Sequence, residues 1–388
     1  MLYACTEKGV YVSFDDGDDW QPLQLNLPVT SVRDLVVHED DLVIATFGRS
    51  FWVLDDVTPL RQMDAHVSMA DGWLFRPGTA YRVRPGNDQG TPVPDDEPLA
   101  ENPPNGALLD YYLKEKAVGP IQLEIFDSEG RLVRRFASDD EVRKVNPNEL
   151  PFPASWVHAP QTLSAEAGMH RFAWDLRYPL AKGVRASSWR PSGPLSVPGN
   201  YTVKLTAHGK SSTQPLTIKI DPRVKTPQEG LVRQFELASK LSARQGEVSV
   251  ALQQAAELRK QIDARKKEAG EKADVAKALE ELNQKLEGMV QADSNAGFGL
   301  FGLAVPGKEQ EALPKVAAAL ADLIIIVESA DAAPTTDAST ASEKWDKAAE
   351  ETLARWTAFQ KQDLVNANEL LQKANLRPLL LGEMPALH

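Results

Sequence analysis

Four aspartates stand within five positions near the start of the chain, where residues 13–20 read SFDDGDDW. Carboxylates this close together can hold a hard metal ion or act in acid–base chemistry. A second acidic pair, Asp55 and Asp56, follows an aromatic segment and has Arg49 and Trp52 nearby. That combination could form a patch that faces a sugar. Asp55, Asp56 and Arg49 are therefore the candidate catalytic residues of this sequence.

The two acidic segments belong to a repeat. LYACT at 2–6 is followed 40 positions later by LVIAT at 42–46, and FDD at 14–16 is followed by LDD at 54–56 at the same offset. A period of about 40–45 residues with short alternating strands is typical of β-propeller blades. Because each blade buries its faces only against its neighbours, two blades cannot close a ring. The sequence therefore predicts that residues 1–75 are the closing part of a propeller. Either the remaining blades lie in a missing N-terminal region of a longer protein, which we favour, or they come from elsewhere.

SFDDGDDW fits the pattern Ser-x-Asp-x-Gly-x-x-Trp, and it resembles the Asp-box of BNR-repeat propellers such as sialidases and sortilin-type proteins. Ser13, Asp15, Gly17 and Trp20 occupy the four defining positions. The physical interpretation is a hairpin turn in which Asp15 accepts backbone N–H bonds, Gly17 takes a positive φ and Trp20 covers the turn. In that family the box lies away from the central substrate site, so we favour a structural role for it. The second copy, LDDVTPL, keeps the acidic pair but lacks the glycine and the tryptophan.

The resemblance extends along the chain. VRDLVVHEDDLVIATFGRSFWVLDDVTPLRQ looks like the closing blade of bacterial secreted BNR-repeat proteins, which are often labelled glycosyl hydrolases, and residues 198–227 resemble the last β strands of that family. In these proteins a long propeller is followed by an Ig-like module and helices. The resemblance implies a periplasmic or secreted location. This chain departs from the pattern because most of the propeller is missing.

The remaining residues divide by composition and periodicity. Residues 76–106 are rich in Pro, Gly and Asp and predict a linker without regular elements. Residues 107–222 contain alternating strand patterns and predict an Ig-like or fibronectin-III-like β-sandwich. Residues 226–377 have apolar positions three and four apart and predict an all-α helical bundle, followed by a tail at 378–388. Thr226 and Thr340 are the expected helix N-caps. The fold class is therefore multidomain, with a propeller-blade remnant, a β-sandwich and a helical bundle.

Bulk properties exclude several kinds of site. The net charge of −12 argues against a nucleic-acid partner. Cys5 is the sole cysteine, so an intrachain disulfide and a thiolate zinc site are both impossible. The longest apolar run, at 320–327, is far shorter than the roughly 20 residues that a membrane-spanning helix needs. The six histidines show no metal-ligand spacing, and GFGLFG at 297–302 lacks the strand that a dinucleotide site requires. We expect no cofactor and no metal.

The preferred hypothesis is a non-catalytic fragment that serves ring closure and binds protein or glycan, with the remaining propeller blades as its first partner. The alternative is part of a glycoside hydrolase, sialidase-like or xyloglucanase-like, whose active site needs the missing blades. Glycosidases place two carboxyls about 5–9.5 Å apart across the sugar. Asp55 and Asp56 are neighbours and should point to opposite faces of a strand, so they make a poor pair.

Two further possibilities stay open. Trp174 and Tyr201 could bind carbohydrate by stacking, although we expect both to be core residues of the sandwich. The helical part could instead be a dimerisation module, which a fragment of residues 226–388 would test.

Overall fold

The structure is a computed structural model, and it describes residues 1–84, 104–141, 161–184, 193–270, 272–291 and 311–382. Within these residues several β-sheets are followed by a helical region, as the multidomain β-plus-α prediction requires. The chain forms two compact units. Unit 1 contains Met1–Leu176 and Pro198–Arg223, and unit 2 contains Arg177–Val197 and Val224–His388.

Unit 1 begins with two three-stranded antiparallel sheets. Sheet 1 contains β1 (Leu2–Thr6), β2 (Gly9–Ser13) and β3 (Gln21–Pro22), and sheet 2 contains β4 (Val32–His38), β5 (Asp41–Thr46) and β6 (Phe51–Leu54). The HEDD segment at 38–41 is the hairpin tip between β4 and β5, with Glu39 at a φ of 54°. A short 3₁₀ turn (Leu60–Gln62) and a one-turn helix, α1 (Ala65–Met69), follow sheet 2.

A second pair of sheets completes unit 1. Sheet 3 has the order β12-β9-β7, and sheet 4 has the order β11-β10-β13-β14-β8. The strands are β7 (Gly72–Leu74), β8 (Ala80–Arg82), β9 (Ala107–Leu113), β10 (Gln122–Phe126), β11 (Leu132–Ala137), β12 (Gly168–Trp174), β13 (Gly199–Ala207) and β14 (Lys210–Ile220). All neighbouring strands are antiparallel except β14 and β8, which run parallel.

Two of these strands lie outside the range predicted for the sandwich. β7 pairs with β9, so residues 72–74 belong to sheet 3 although the sequence assigns them to the blade region. β8 lies inside the predicted linker at 76–106, and the prediction of no regular element there is wrong at Ala80–Arg82. The reason is that β14, far along the chain, supplies the hydrogen-bonding partner that local composition does not reveal.

Aromatic side chains join sheets 3 and 4. Phe172 on β12 lies 4.6 Å, ring to ring, from Phe136 on β11, and Trp174 meets Tyr201 of β13 edge-on at 5.9 Å. Trp174 and Tyr201 are both buried. The expectation that they are core residues is confirmed, and neither ring is available to stack on a sugar.

The described part of unit 2 contains five helices: α2 (Gln228–Ala269), α3 (Ala273–Val290), α4 (Leu313–Val327), α5 (Thr336–Ala358) and α6 (Leu364–Lys373). A π-helical turn at Phe359–Asp363 connects α5 with α6. The apolar positions that the sequence picks out three and four apart are buried and pack into one core. They are Leu279, Leu282, Leu286, Met289, Leu313, Val316, Leu320, Leu323, Val327, Trp345, Ala349, Trp356 and Phe359, with Leu353 partly buried.

Both predicted N-caps are wrong. Pro227 is the N-cap of α2, and the Thr226 hydroxyl instead donates a hydrogen bond to the Asp331 carbonyl at 2.5 Å. α5 begins four residues before Thr340, and its cap is Thr335, whose hydroxyl oxygen accepts the Ala338 N–H at 3.1 Å. Several Ser, Thr and Asp residues in this stretch could cap a helix, and tertiary packing selects among them.

A segment that precedes the helices is part of unit 2. We call Arg177–Val197 the arm, described at 177–184 and 193–197. The sequence predicts that these residues belong to the sandwich at 107–222, whereas their contacts in the structure group them with the helices. The buried Glu328, at the end of α4, accepts hydrogen bonds from Arg177 Nη1 and from the Leu195 N–H, both at 2.7 Å.

The arm also approaches α2 closely. A Cβ added to Gly246 would lie 2.8 Å from Ala181 Cβ and 3.1 Å from the Lys182 carbonyl oxygen. Two turns further along α2, Gln253 Nε2 donates to the Gly183 carbonyl at 2.7 Å. The absence of a side chain at Gly246 therefore allows the arm to lie against the helix.

Candidate functional site

The SFDDGDDW segment forms a hydrogen-bonded turn between β2 and β3. Ser13 Oγ donates to Asp15 Oδ1 at 2.8 Å and accepts the Gly17 N–H at 2.8 Å. Asp15 Oδ1 also accepts the Asp19 N–H at 3.0 Å. These bonds lower the pKa of the Asp15 carboxyl, the Asp19 N–H contributing most. Asp15 is thus held ionised by the backbone and is engaged in the turn.

Gly17 and Trp20 complete this turn. Gly17 has a φ of 107°, which a residue with a Cβ seldom adopts. Trp20 Nε1 donates to the Gly17 carbonyl at 3.0 Å, so the indole lies over the loop and is 41% exposed. The four residues of the Asp-box pattern are therefore linked by a chain of hydrogen bonds, from Asp15 through Ser13 and Gly17 to Trp20.

The second acidic pair forms a related turn after β6. Asp56 has a φ of 52°, close to the 60° of Asp16 at the position 40 residues earlier. Asp56 Oδ1 accepts the Thr58 N–H at 3.0 Å and the Thr58 hydroxyl at 2.5 Å. The Asp56 N–H donates to Asp41 Oδ1 at 2.9 Å. This turn, too, uses its carboxylates to satisfy backbone donors.

Arg171 on β12 connects this turn to sheet 3. Its guanidinium donates to both carboxylate oxygens of Asp110 on β9, from Nε at 2.9 Å and from Nη2 at 3.2 Å. It also donates to the main-chain carbonyls of Asp55 and Asp56, at 2.8 Å each. The arginine therefore binds the backbone of the candidate pair and leaves their carboxylates unpaired with it.

Burial controls the electrostatics around Arg171. Desolvation raises the pKa of Asp110, which is 5% exposed, although the hydrogen bond and charge of Arg171 oppose the rise. Desolvation also raises the pKa of Asp55, and the negative charge of Asp41 adds to that effect. The carboxyl of Asp55 is thus the one candidate whose environment favours the protonated acid.

The three catalytic candidates do not assemble into a reaction centre. Arg49 is exposed in the loop between β5 and β6, and its carbonyl accepts the Trp52 indole N–H at 2.9 Å. Asp56 is committed to Thr58, and Asp55 faces Asp41 and Arg171. Sequence reasoning missed Arg171 and Asp110, because they lie 61 residues apart and no local motif joins them. The only signal in the sequence was an arginine within the strand segment HRFAW and an aspartate within the strand segment LLDYYL.

The hairpins of sheets 1 and 2 are equivalent and use their faces differently. The side chains that share the first side of each hairpin and its neighbouring strand define the front face: Tyr3, Cys5, Val10 and Val12 in sheet 1, and Asp34, Val36, Val43, Ala45, Phe51 and Val53 in sheet 2. The opposite side defines the back face: Leu2, Ala4 and Tyr11 in sheet 1, and Leu35, Val37, Leu42, Ile44, Trp52 and Leu54 in sheet 2.

Inside unit 1 the front face of sheet 1 packs against the back face of sheet 2. Tyr3, Cys5 and Val10 share a core cluster with five back-face residues of sheet 2, whereas Val37 on the same face is 44% exposed. The five are Leu35, Leu42, Ile44, Trp52 and Leu54. The front face of sheet 2 is open, with Phe51 exposed by 74%, Val36 by 54% and Val53 by 50%. The back face of sheet 1 is open as well, and its Leu2 is 44% exposed.

Other candidate sites have simple outcomes. Among the described residues no group of three or more His, Cys, Asp or Glu side chains could hold a metal ion. The GFGLFG segment at 297–302 lies outside the described residues. Trp345 and Trp356 are buried in the helical core. No helix within the described ranges is both long enough and apolar enough to cross a bilayer.

Comparison of the chain with protein-family models, with curated proteins and with solved structures gives no match. The function of the chain is therefore inferred from its residues and their geometry.

Proposed function

We propose that this chain is a non-catalytic portion of an extracytoplasmic BNR/Asp-box propeller protein, in which sheets 1 and 2 are two adjacent blades. Its work is to close the propeller ring and to support contact with a protein or glycan ligand. The observation that carries the proposal is the turn at Ser13, Asp15 and Gly17, where a hydroxyl and a carboxylate are both used by backbone N–H groups.

The two blade-like sheets support the same proposal. They repeat one hairpin, at a spacing of 40 residues in its first strand and 41 in its second, and the contact between them joins a front face to a back face. A stack built in this way continues until another sheet covers each end. The open front face of sheet 2 and the open back face of sheet 1 are then the surfaces on which further blades would pack. The sequence resemblance suggests that these blades come from a region preceding residue 1 in a longer protein.

The β-sandwich interpretation belongs to this proposal too. Sheets 3 and 4 contain three and five strands, and the aromatic pairs join them across a shared core. A parallel pairing of an early strand with the last strand of the same sheet, as β8 and β14 make in sheet 4, is compatible with an Ig-like or fibronectin-III-like arrangement.

In the second candidate function, this chain is one part of a glycoside hydrolase. The pKa of Asp55 favours it, because burial raises that pKa and a raised pKa is what a carboxyl needs to act as a general acid. Against it, the carboxylates of Asp56 and Asp41 accept bonds from backbone groups. Arg171 is also engaged, because it bonds to main-chain carbonyls and to the Asp110 carboxylate. These residues do not place a second carboxyl opposite Asp55 across a sugar-binding cleft.

The decisive test is hydrolysis. We expect the purified chain to release no product from sialosides or from β-linked polysaccharides above the level of a buffer control. The matched variants are Asp55→Asn, at the candidate acid, and Asp18→Asn, at an exposed position of the Asp-box turn. Activity that is present in the wild type, retained in Asp18→Asn and abolished in Asp55→Asn would overturn the non-catalytic proposal and establish the hydrolase alternative.

A further inference from the structure

We propose that a second copy of this chain covers the open front face of sheet 2, and that it does so with the back face of its own sheet 1. The contact would repeat between molecules the one that sheets 1 and 2 make within unit 1. This inference rests on the proposed function, because it takes sheets 1 and 2 as two members of one stacking series.

The cross-strand pairs show that the two faces are equivalent to faces already in contact. In sheet 1, Cys5 stands opposite Val10, and in sheet 2 Ala45 stands opposite Phe51 at the same place in the hairpin. Cys5 and Val10 are covered by the back face of sheet 2, whereas Phe51 is exposed by 74%. The front face of sheet 1 is therefore covered by another sheet, whereas the equivalent front face of sheet 2 is exposed.

The same comparison identifies the covering surface. Ile44 and Trp52 stand opposite each other on the back face of sheet 2 and pack into the shared core. Their equivalents in sheet 1 are Ala4 and Tyr11, which form a pair on its back face, flanked by the exposed Leu2. An apolar face of the correct register is thus present at the other end of each molecule.

The composition of the open front face agrees with a protein partner. Val36, Val43 and Val53 lie in one apolar row across the three strands, and Phe51 lies in the next row with Ala45 and Asp34, the charged residue of this face. A contiguous exposed patch of this kind is typical of an interaction surface, whereas single exposed apolar residues are ordinary. Packing of side chains between sheets is the expected mode of contact, as it is between sheets 1 and 2.

The symmetry of the assembly follows from the difference between the two contacting faces, the front face of sheet 2 and the back face of sheet 1. A front-to-back contact is heterologous, so each molecule offers one face and accepts another, and association continues as a closed ring or an open filament. A two-fold dimer, in which the same patch meets itself, is not expected.

Light scattering after size exclusion, over a range of protein concentrations, tests the proposal. We expect the mass of the wild type to exceed that of one chain and to rise with concentration. Phe51→Glu, which blocks the front face, and Leu2→Glu, which blocks the back face, should each elute as single chains. Val118→Glu is the matched control, because Val118 is 94% exposed and lies on neither face, and it should associate as the wild type does.

Mixing the two blocked variants gives the sharpest result. The Phe51→Glu chain still offers its back face and the Leu2→Glu chain its front face, so an equimolar mixture should form a species of two chains and nothing larger. A wild type that stays a single chain at every concentration, or a mixture that stays monomeric while the wild type associates, would overturn the proposal. Unchanged melting temperatures of both variants confirm that they are folded.

Binding of a hydrophobic fluorescent dye separates this inference from the proposed function. If the wild type is monomeric and binds the dye, and Phe51→Glu abolishes most of that binding, the second copy is refuted while the front face remains an open surface for other blades. If the wild type is monomeric and Phe51→Glu leaves its dye binding unchanged, the front face is not a docking surface and both proposals lose their support.

Discussion

Replacing Arg171 with methionine should destabilise unit 1, because it leaves Asp110 buried without its partner. Asp110 is 5% exposed, and both of its carboxylate oxygens are hydrogen-bonded by Arg171. Breaking a buried ion pair by removing one member costs about 3–5 kcal/mol. The Arg171 side chain is itself 33% exposed, so solvent screens part of the interaction and the lower end of that range applies. We expect Arg171→Met to lower the free energy of unfolding by about 3 kcal/mol at pH 7.

The loss should depend on pH with a definite sign. Burial already raises the pKa of Asp110, and Arg171 is the group that opposes the rise. In Arg171→Met the folded-state pKa rises further above the unfolded value of about 3.9. A carboxyl with a raised folded-state pKa destabilises the fold as the pH rises through that pKa, and it has no such effect when it is protonated in both states. The difference between variant and wild type should therefore shrink as the pH falls from 7 towards 4.

Urea unfolding followed by tryptophan fluorescence at pH 7 and pH 4 measures both effects. The double variant Arg171→Met/Asp110→Asn should recover roughly half of the loss at pH 7, since no buried charge remains. Lys116→Met is the matched control, because its ion pair with Glu166 is exposed, and it should change stability by less than about 0.5 kcal/mol. A loss in Arg171→Met that is the same at both pH values would refute the assignment of the cost to the Asp110 charge.

Two further predictions concern unit 2, and each pairs substitutions of opposite expected sign. Gly246→Ala should destabilise the unit because its Cβ would lie 2.8 Å from Ala181 Cβ, whereas Gly288→Ala, which meets open space on α3, should stabilise it by up to about 1 kcal/mol through helix propensity; melting curves of the two variants that shift in the same direction would contradict the placement of the arm. Thr335→Ala should cost about 1 kcal/mol by removing the cap of α5, whereas Thr340→Ala, at an exposed position inside the helix, should be neutral or slightly stabilising. Thermal unfolding that is more sensitive to Thr340 than to Thr335 would favour the helix start that the sequence predicts.

Local periodicity accounts for what the sequence could predict. Alternation in GVYVS and QLEIF places one face of each strand in a core, and the spacing of Leu279, Leu282 and Leu286 places one face of α3 in another. The turn at Ser13 and Asp15 was also predictable, because all of its bonds join residues no more than four apart. Patterns that are complete within one element can be read from that element alone.

What the sequence could not predict depends on residues that are distant in the chain. β8 is three residues long and exists because β14 pairs with it, and Thr226 loses its capping role to a bond with Asp331, 105 residues away. Arg171 and Asp110 are brought together by the register of β9 and β12. Each of these features follows from a long-range pairing that a single sequence, without its fold, does not encode in any short pattern.

The arm has a consequence for dissecting the protein into fragments. It lies between β12 and β13, two strands of unit 1, so the chain enters unit 2, returns to unit 1 and enters unit 2 again. No single cut of the chain therefore yields both units complete. A fragment that starts at residue 226 lacks the residues that contact Gly246 and Glu328, and it exposes the surface that they cover. Self-association of such a fragment would report that uncovered surface, and adding a peptide of residues 177–197 should reverse it.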